Sequence, residues 1–397
     1  MSADREVVIV SFARTPMARL NGGLSSLSAA SLGAVAIGGA LARAGMDPTE
    51  VDHVLMGQVV QAGAGQNPAR QAAVTAGIPW TVPAMTLNKV CLSGLSAVID
   101  AARMIRLGEA SVVVAGGQES MSQAPHLLPG SRRGWTYGDL QAVDSLAFDG
   151  LTDAFDRESM GSSTERGNKA LSLSREDQDA VAVASHRRAA DAVSSGVFAA
   201  EIEPVHVPQR RGDPLVVAAD EGIRPQTSPE SLAALRPAFS ADGTITAGNA
   251  SPLTDGAAAL VVAAREVAED RGWTWLASVG SSGQVAGPDN SLHSQPSAAI
   301  SAALARAGWD LSSVDLLEIN EAFGSVVVQS LLDLGYPLDR TNVHGGAIAL
   351  GHPIGASGAR LAGHAAMELG RRGRGRAAVA LCGGGGQGEA LLLAREG

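Results

Sequence analysis

An internal repeat constrains this chain more than any local propensity does. Ala36–Asp52 reads AIGGALARAGMDPTEVD and Ala299–Asp315 reads AISAALARAGWDLSSVD, with eleven of 17 positions identical at a constant offset of 263. In each copy an alanine-rich helical pattern stops at Gly–x–Asp and runs into an apolar stretch, Val54–Gln58 (VLMGQ) or Leu316–Glu321 (LLEINE). Each stretch has the length and content of a buried strand. Helix therefore leads to strand in both copies, and two similar α/β halves packed in layers are the simplest structure that such units build.

Further strands are expected at Val7–Ser11, Ser111–Ala115, Ala258–Ala263, Ala377–Leu381 and Ala390–Leu393, continuous apolar runs that suit strands covered on both faces. Between the halves the composition shifts toward Arg, Asp, Pro and Ser, with an amphipathic stretch at Arg175–Val193. This places the first half at residues 1–122 and 248–273, an inserted loop lobe at 123–247, and the second half at 274–397. A 45% hydrophobic content over 397 residues is enough for a large core. The net charge of −10 argues against general binding to nucleic acid or an anionic membrane. The opening MSADREVVIVSF does not read as a signal peptide, and no apolar run reaches the length of a membrane span. Two cysteines are too few for a disulfide framework, so free thiols in a reducing cytoplasm are expected.

Four short segments carry the chemistry. Asn88–Gly94 (NKVCLSG) sets Cys91 just before a helical stretch, where the dipole and free N–H groups favour a thiolate; a buried structural cysteine is the alternative. Asn342–Gly358 (NVHGGAIALGHPIGASG) crowds Gly and Pro around His352, as a shaped loop near a ligand does. Leu381–Glu389 (LCGGGGQGE) holds Cys382 and contains a literal G-x-G-x-x-G from Gly383 to Gly388. A dinucleotide fingerprint must open a helix, whereas the residues after Gly388 read as a strand, so these glycines expose backbone N–H groups beside Cys382 instead. In Glu318–Phe323 (EINEAF), Asn320 and Glu321 stand at a strand end, facing a cleft or capping a helix.

Together these segments resemble the thiolase family, and the resemblance runs through nearly the whole chain. NKVCLSG is similar to the family's N-x-x-C-x-S-G, and GHPIGASG and CGGGGQG look like its histidine loop and second-cysteine loop. Further matches are Gly116–Pro125 (GGQESMSQAP), Ser174–His186, Leu235–Phe239 (LRPAF) and Gly243–Asp255 (GTITAGNASPLTD). The resemblance is closest to the bacterial short-chain members. It implies a reversible Claisen condensation of two acetyl-CoA to acetoacetyl-CoA and CoA, with broad-range 3-oxoacyl-CoA thiolysis as the alternative.

By the same resemblance, Cys91 carries the acyl group, His352 takes its proton, and Cys382 exchanges a proton with the methyl carbon of acetyl-CoA. Asn320, through a water, and His352 form one oxyanion site, and the N–H groups of Cys91 and Gly384 the other. Arg224 matches the adenine-side arginine, Ser231 and Ser251 ligand hydroxyls, and Phe239 and Ala247 the pantetheine-channel walls. Leu151, Met160 and Phe323 match residues at the acyl end. Coenzyme A enters as substrate and product, with no separate cofactor and no metal, and a homodimer or homotetramer is implied, the latter through a loop near His126–Gly138. The chain departs from the family pattern at Ser159, at His344, and at Pro288–Pro296 (PDNSLHSQP), where Leu292 and His293 replace a shorter loop near the acyl group. Two rival readings are a decarboxylating synthase, which would need a second histidine where Cys382 stands, and an inactive CoA or lipid carrier, which would need no acid–base pair.

Overall fold

The computed structural model describes residues 5–397; Met1–Asp4, the start of the N-terminal segment read above, lie outside the described residues. The first half contributes strands β1 (Val7–Arg14), β2 (His53–Gly57), β3 (Ala84–Leu87), β4 (Val112–Glu119) and β5 (Thr254–Ala264). The second contributes β6 (Ala277–Ala286), β7 (Leu316–Ile319), β8 (Gly375–Gly383) and β9 (Gln387–Arg395). They join in a ten-stranded sheet of order β7-β8-β9-β6-β1-β5-β4-β2-β3, completed by a short strand beside β5.

The repeat is visible in this order. From the junction outward the first half runs β1-β5-β4-β2 and the second β6-β9-β8-β7. The directions repeat too: β4/β5 and β8/β9 are antiparallel, β2/β4 and β7/β8 parallel. The halves meet where β1 pairs with β6 antiparallel at Val8↔Ser278 and Ile9↔Ala277.

Helix α1 (Ala29–Ala44) begins at Ser28, whose side chain accepts the Ser31 N–H, and stops at left-handed Gly45. Helices α2 (Ser93–Leu107), α3 (Met160–Leu171) and α4 (Arg175–Ser194) follow, then α5 (Gln295–Ala307), α6 (Gly324–Leu334) and α7 (Ser357–Arg372). The repeat copy of α1 is α5, which stops at left-handed Gly308. In both copies the Asp of Gly–x–Asp then caps the next turn: Asp47 accepts the Thr49 N–H and Asp310 the Ser312 N–H. Shared sequence thus gives shared geometry at the atomic level.

Helix α1 covers one face of the first half-sheet and α5 one face of the second, each over its own apolar cluster. Between the half-sheets lie α2 and α7, and one cluster joins Leu95, Val98 and Leu361 to Val113 and Leu260 on one side and Val379 and Leu391 on the other. The result is a five-layered α/β/α/β/α stack. Residues 123–247 carry α3 and α4 and two small hairpins, His126–Leu127 with Val143–Asp144 and Val205–Val207 with Leu215–Val217.

Strands β3 and β6 were not legible. β6 reads ASVGSSGQVA because α5 lies close upon it: a Cβ on Gly283 would stand 2.0 Å from the Ala299 carbonyl. Small residues there record helix–strand contact rather than a turn. Among the described residues, no helix is long and apolar enough to cross a membrane.

Candidate active site

Cys91 stands at the turn into α2, on a loop held by its own side chains. Val90 has φ of 50°, which a β-branched residue adopts only under constraint, at about 1–3 kcal/mol. The constraint is visible. Val90 N–H donates to Asn88 Oδ1 at 3.0 Å, while Ser93 Oγ donates to the Val90 carbonyl at 2.6 Å and accepts the Lys89 N–H at 2.8 Å. Asn88 and Ser93 of NKVCLSG therefore shape the loop rather than face a ligand.

His352 is buried beside it, on the loop between a short helix and α7. Its Nδ1 lies 2.6 Å from Ser357 Oγ, which donates its single proton to the Pro353 carbonyl at 3.0 Å. Nδ1 accordingly bears the hydrogen, and Nε2 is the acceptor. Asn320, just past the end of β7, places Nδ2 at 3.4 Å from that Nε2, and its Oδ1 is buried without a partner. Burial, helped by Arg360, pushes His352 down to about 4, so the ring is neutral near pH 7.

Both cysteines are free. Burial pushes the Cys91 thiol up to about 11, against backbone N–H groups of Gly384 and Cys91 that donate toward its sulfur. The expectation of a favoured thiolate is corrected here, because desolvation outweighs the helix dipole in this pocket. Cys382, near the end of β8, is raised by burial and then by its neighbour Cys91. The resting site is thus a neutral thiol pair beside a neutral imidazole.

The histidine loop is fixed from below by Glu119, a fully buried carboxylate that accepts the N–H groups of Val59, Val60 and Gly355 at 3.1, 3.0 and 2.8 Å. Close approach needs glycine at 117, where a Cβ would stand 2.0 Å from the Gly355 carbonyl. These contacts bind the first half, which supplies Cys91, to the second, which supplies His352 and Cys382.

A cavity of about 330 Å³ gathers Cys91, His352, Cys382 and Gly384 with Leu151, Met160, Phe239, Ser251 and Phe323. Asn320 stands behind His352 rather than on the wall. Arg224, Ser231 and Ala247 lie outside the cavity, exposed on the lobe. The Arg224 N–H donates to His186 Nδ1 at 3.1 Å, and Ser231 closes a capping box with Ser228. Glu321 does not face the cleft: it is buried, accepting Ser185 Oγ at 2.7 Å, Asn342 Nδ2 at 2.9 Å and the Ile348 N–H at 3.0 Å. Of the departures, Leu292 lines the cavity, His293 is turned away to Asn168 Oδ1 at 2.8 Å, and Ser159 caps α3 by accepting the Ser162 N–H. The sequence reading missed the roles of Ser357 and Glu119, although both stand inside motifs that it quoted.

With this geometry in place, the comparisons decide the family. A model described as the thiolase N-terminal domain matches residues 7–266, and one described as the thiolase C-terminal domain matches 273–395. The chain is a member of the thiolase family. This thiolase is 56% identical to the probable acetyl-CoA acetyltransferase of Mycolicibacterium smegmatis, over 98% of this chain and 100% of that one. It is 47% identical to the acetyl-CoA acetyltransferase of Cupriavidus necator, over 98% and 100% of the two chains. The crystal structure of the Bacillus anthracis acetyl-CoA acetyltransferase superposes with a TM-score of 0.94 at 36% identity, covering 99% of this thiolase and 100% of that chain.

Proposed function

We propose that this thiolase is an acetyl-CoA C-acetyltransferase that interconverts two acetyl-CoA with acetoacetyl-CoA and CoA through an acetyl-Cys91 intermediate. The observation that carries the reading is a small, mostly apolar cavity of about 330 Å³ in which two free thiols and a neutral histidine meet. The names of its relatives support the same reading over a broad-range 3-oxoacyl-CoA thiolase.

The proton inventory closes over these three groups. Cys91 passes its proton to His352 Nε2 as its sulfur attacks the thioester carbonyl, the Cys91 and Gly384 N–H groups receive the oxyanion, and His352 protonates the departing CoA thiolate. In the second half, Cys382 gives its proton to His352, whose imidazolium, with Asn320 acting through a water, stabilises the enolate oxygen of the incoming acetyl-CoA. The Cys382 thiolate removes the methyl proton, the carbanion displaces Cys91 from the acetyl group, and His352 returns its proton to Cys91. Cleavage runs the same steps backward, with the Cys382 thiol as acid.

Leu292, Met160, Phe323 and Leu151 bound the acyl end, and Phe239 and Ser251 the passage for pantetheine. Arg224, Ser231 and Ala247 are assigned to the exposed CoA portion on the lobe. We take coenzyme A as substrate and product with no other cofactor, and assign the enzyme to the cytoplasm as a homodimer or homotetramer in short-chain acyl metabolism. The test is mass spectrometry after acetyl-CoA: Cys91→Ala is expected to take up no acetyl group, whereas Cys382→Ala is acetylated but does not condense. Acetyl on Cys382 with Cys91 unmodified refutes the assignment.

A further inference from the structure

We infer that Lys89 and Glu389 are a positioning pair that sets the Cys91 loop against the Cys382 hairpin across the two halves of the enzyme. Lys89 is one of two lysines in the chain and stands two residues before Cys91. Its Nζ lies 3.1 Å from Glu389 Oε1. Glu389 belongs to β9, directly opposite Leu381 of β8, and the next pair in register is Cys382↔Gly388. The ion pair therefore joins a point beside one thiol to a point beside the other, and Gly384 lies in the same hairpin.

The acid is built for this place. Glu389 has no exposed surface, and its other donors come from two further elements: Ser96 Oγ of α2 at 2.6 Å and Gln284 Nε2 of β6. One carboxylate thus gathers the nucleophile loop, the helix that follows it, and the second half-sheet. Lys89, half-buried, is the only cation among these partners, so its loss leaves a buried carboxylate without a counter-charge. The groups whose spacing depends on this tie are the Cys91 and Gly384 N–H donors, contributed from opposite sides of it. Oxyanion donors must meet the developing charge at hydrogen-bond distance, and a shift of about 1 Å costs ~100-fold in rate.

The inference rests on Cys91 as the acyl carrier, and the test separates the two. Acetylation of Cys91 by acetyl-CoA needs the oxyanion donors at the substrate's carbonyl oxygen; alkylation of the same sulfur by iodoacetamide, compared at equal thiolate fraction from each variant's pH profile, develops no carbonyl oxyanion and does not. Lys89→Met is expected to slow acetylation about tenfold or more, with alkylation and KM within about twofold of wild type. Lys89→Arg is expected to recover most of the acetylation rate. Glu389→Gln provides a second, near-isosteric variant, and the Lys89→Met/Glu389→Gln double variant is expected to lose less than the two single losses combined. Lys169→Met, which removes the other lysine from an exposed pair with Asp242, gives the baseline. Acetylation of Lys89→Met at the wild-type rate overturns the pair's role, as does a parallel fall of acetylation and alkylation. A wild type that is not acetylated at Cys91 refutes instead the underlying reading of the site.

Discussion

Replacing Ser357 by Ala tests whether the tautomer of His352 is set by its neighbour. The hydroxyl accepts the Nδ1 hydrogen at 2.6 Å and donates to the Pro353 carbonyl at 3.0 Å, all within the buried loop. Alanine leaves a buried N–H unpaired, at about 1–3 kcal/mol. The ring can relieve that cost by moving its hydrogen to Nε2, where it can no longer accept the Cys91 proton. If about 1.4 to 2.7 kcal/mol goes into that shift, the competent tautomer falls to between a tenth and a hundredth, since each 1.36 kcal/mol is tenfold. The expected result is a 10- to 100-fold lower kcat for CoA-dependent loss of acetoacetyl-CoA absorbance, with KM nearly unchanged. Single-turnover acetylation of Cys91 is expected to fall by the same factor. A kcat within about twofold of wild type in the folded variant refutes the tautomer argument.

Three further outcomes follow from the same site. Alkylation of native Cys91 should rise tenfold per pH unit toward about 11, because only the thiolate reacts; a plateau near the ordinary thiol value of about 8.5 contradicts the burial argument. Leu292→Gly should open the acyl end, raising kcat/KM for the eight-carbon 3-oxoacyl-CoA relative to acetoacetyl-CoA, whereas the wild type should favour acetoacetyl-CoA steeply because a closed pocket rejects added carbons. Gly117→Ala pushes a methyl against the Gly355 carbonyl, a backbone atom that cannot swing aside, and should cost about 1–3 kcal/mol of stability together with a lower kcat; denaturant midpoint and turnover measure both.

The duplicated segment made the architecture legible, because its helix, its Gly–x–Asp stop and its strand are all local. Strand β6 escaped notice because its small residues answer to α5, with Gly283 lying against Ala299, 16 residues further along the chain. Cys91 could be read from its place before a helix, and His352 and Cys382 from their glycine-rich loops, and the cavity gathers them. Their ionisation could not: Cys91 precedes a helix, which alone predicts a thiolate, and only the surrounding three-dimensional burial reverses that. Of the two readings of Glu321, the cleft fails and the helix cap holds: it accepts the Ile348 N–H in the first turn of the short helix Ala347–Leu350, while its other two buried donors come from residues that strand position does not reveal.

The central place of β5 bears on how the chain is made. β5 lies between β1 and β4, yet it follows β1 by roughly 240 residues. At ribosomal speeds of about 5–20 residues per second, β1 leaves the ribosome on the order of 10 to 50 s before its inner neighbour exists. Until β5 emerges the apolar edge of β1, joined later by that of β4, stands open, inviting pairing with other nascent chains. Slower decoding of the lobe would lengthen this exposure, and a holdase that shields strand edges during translation should raise the yield of folded enzyme more than one added after release.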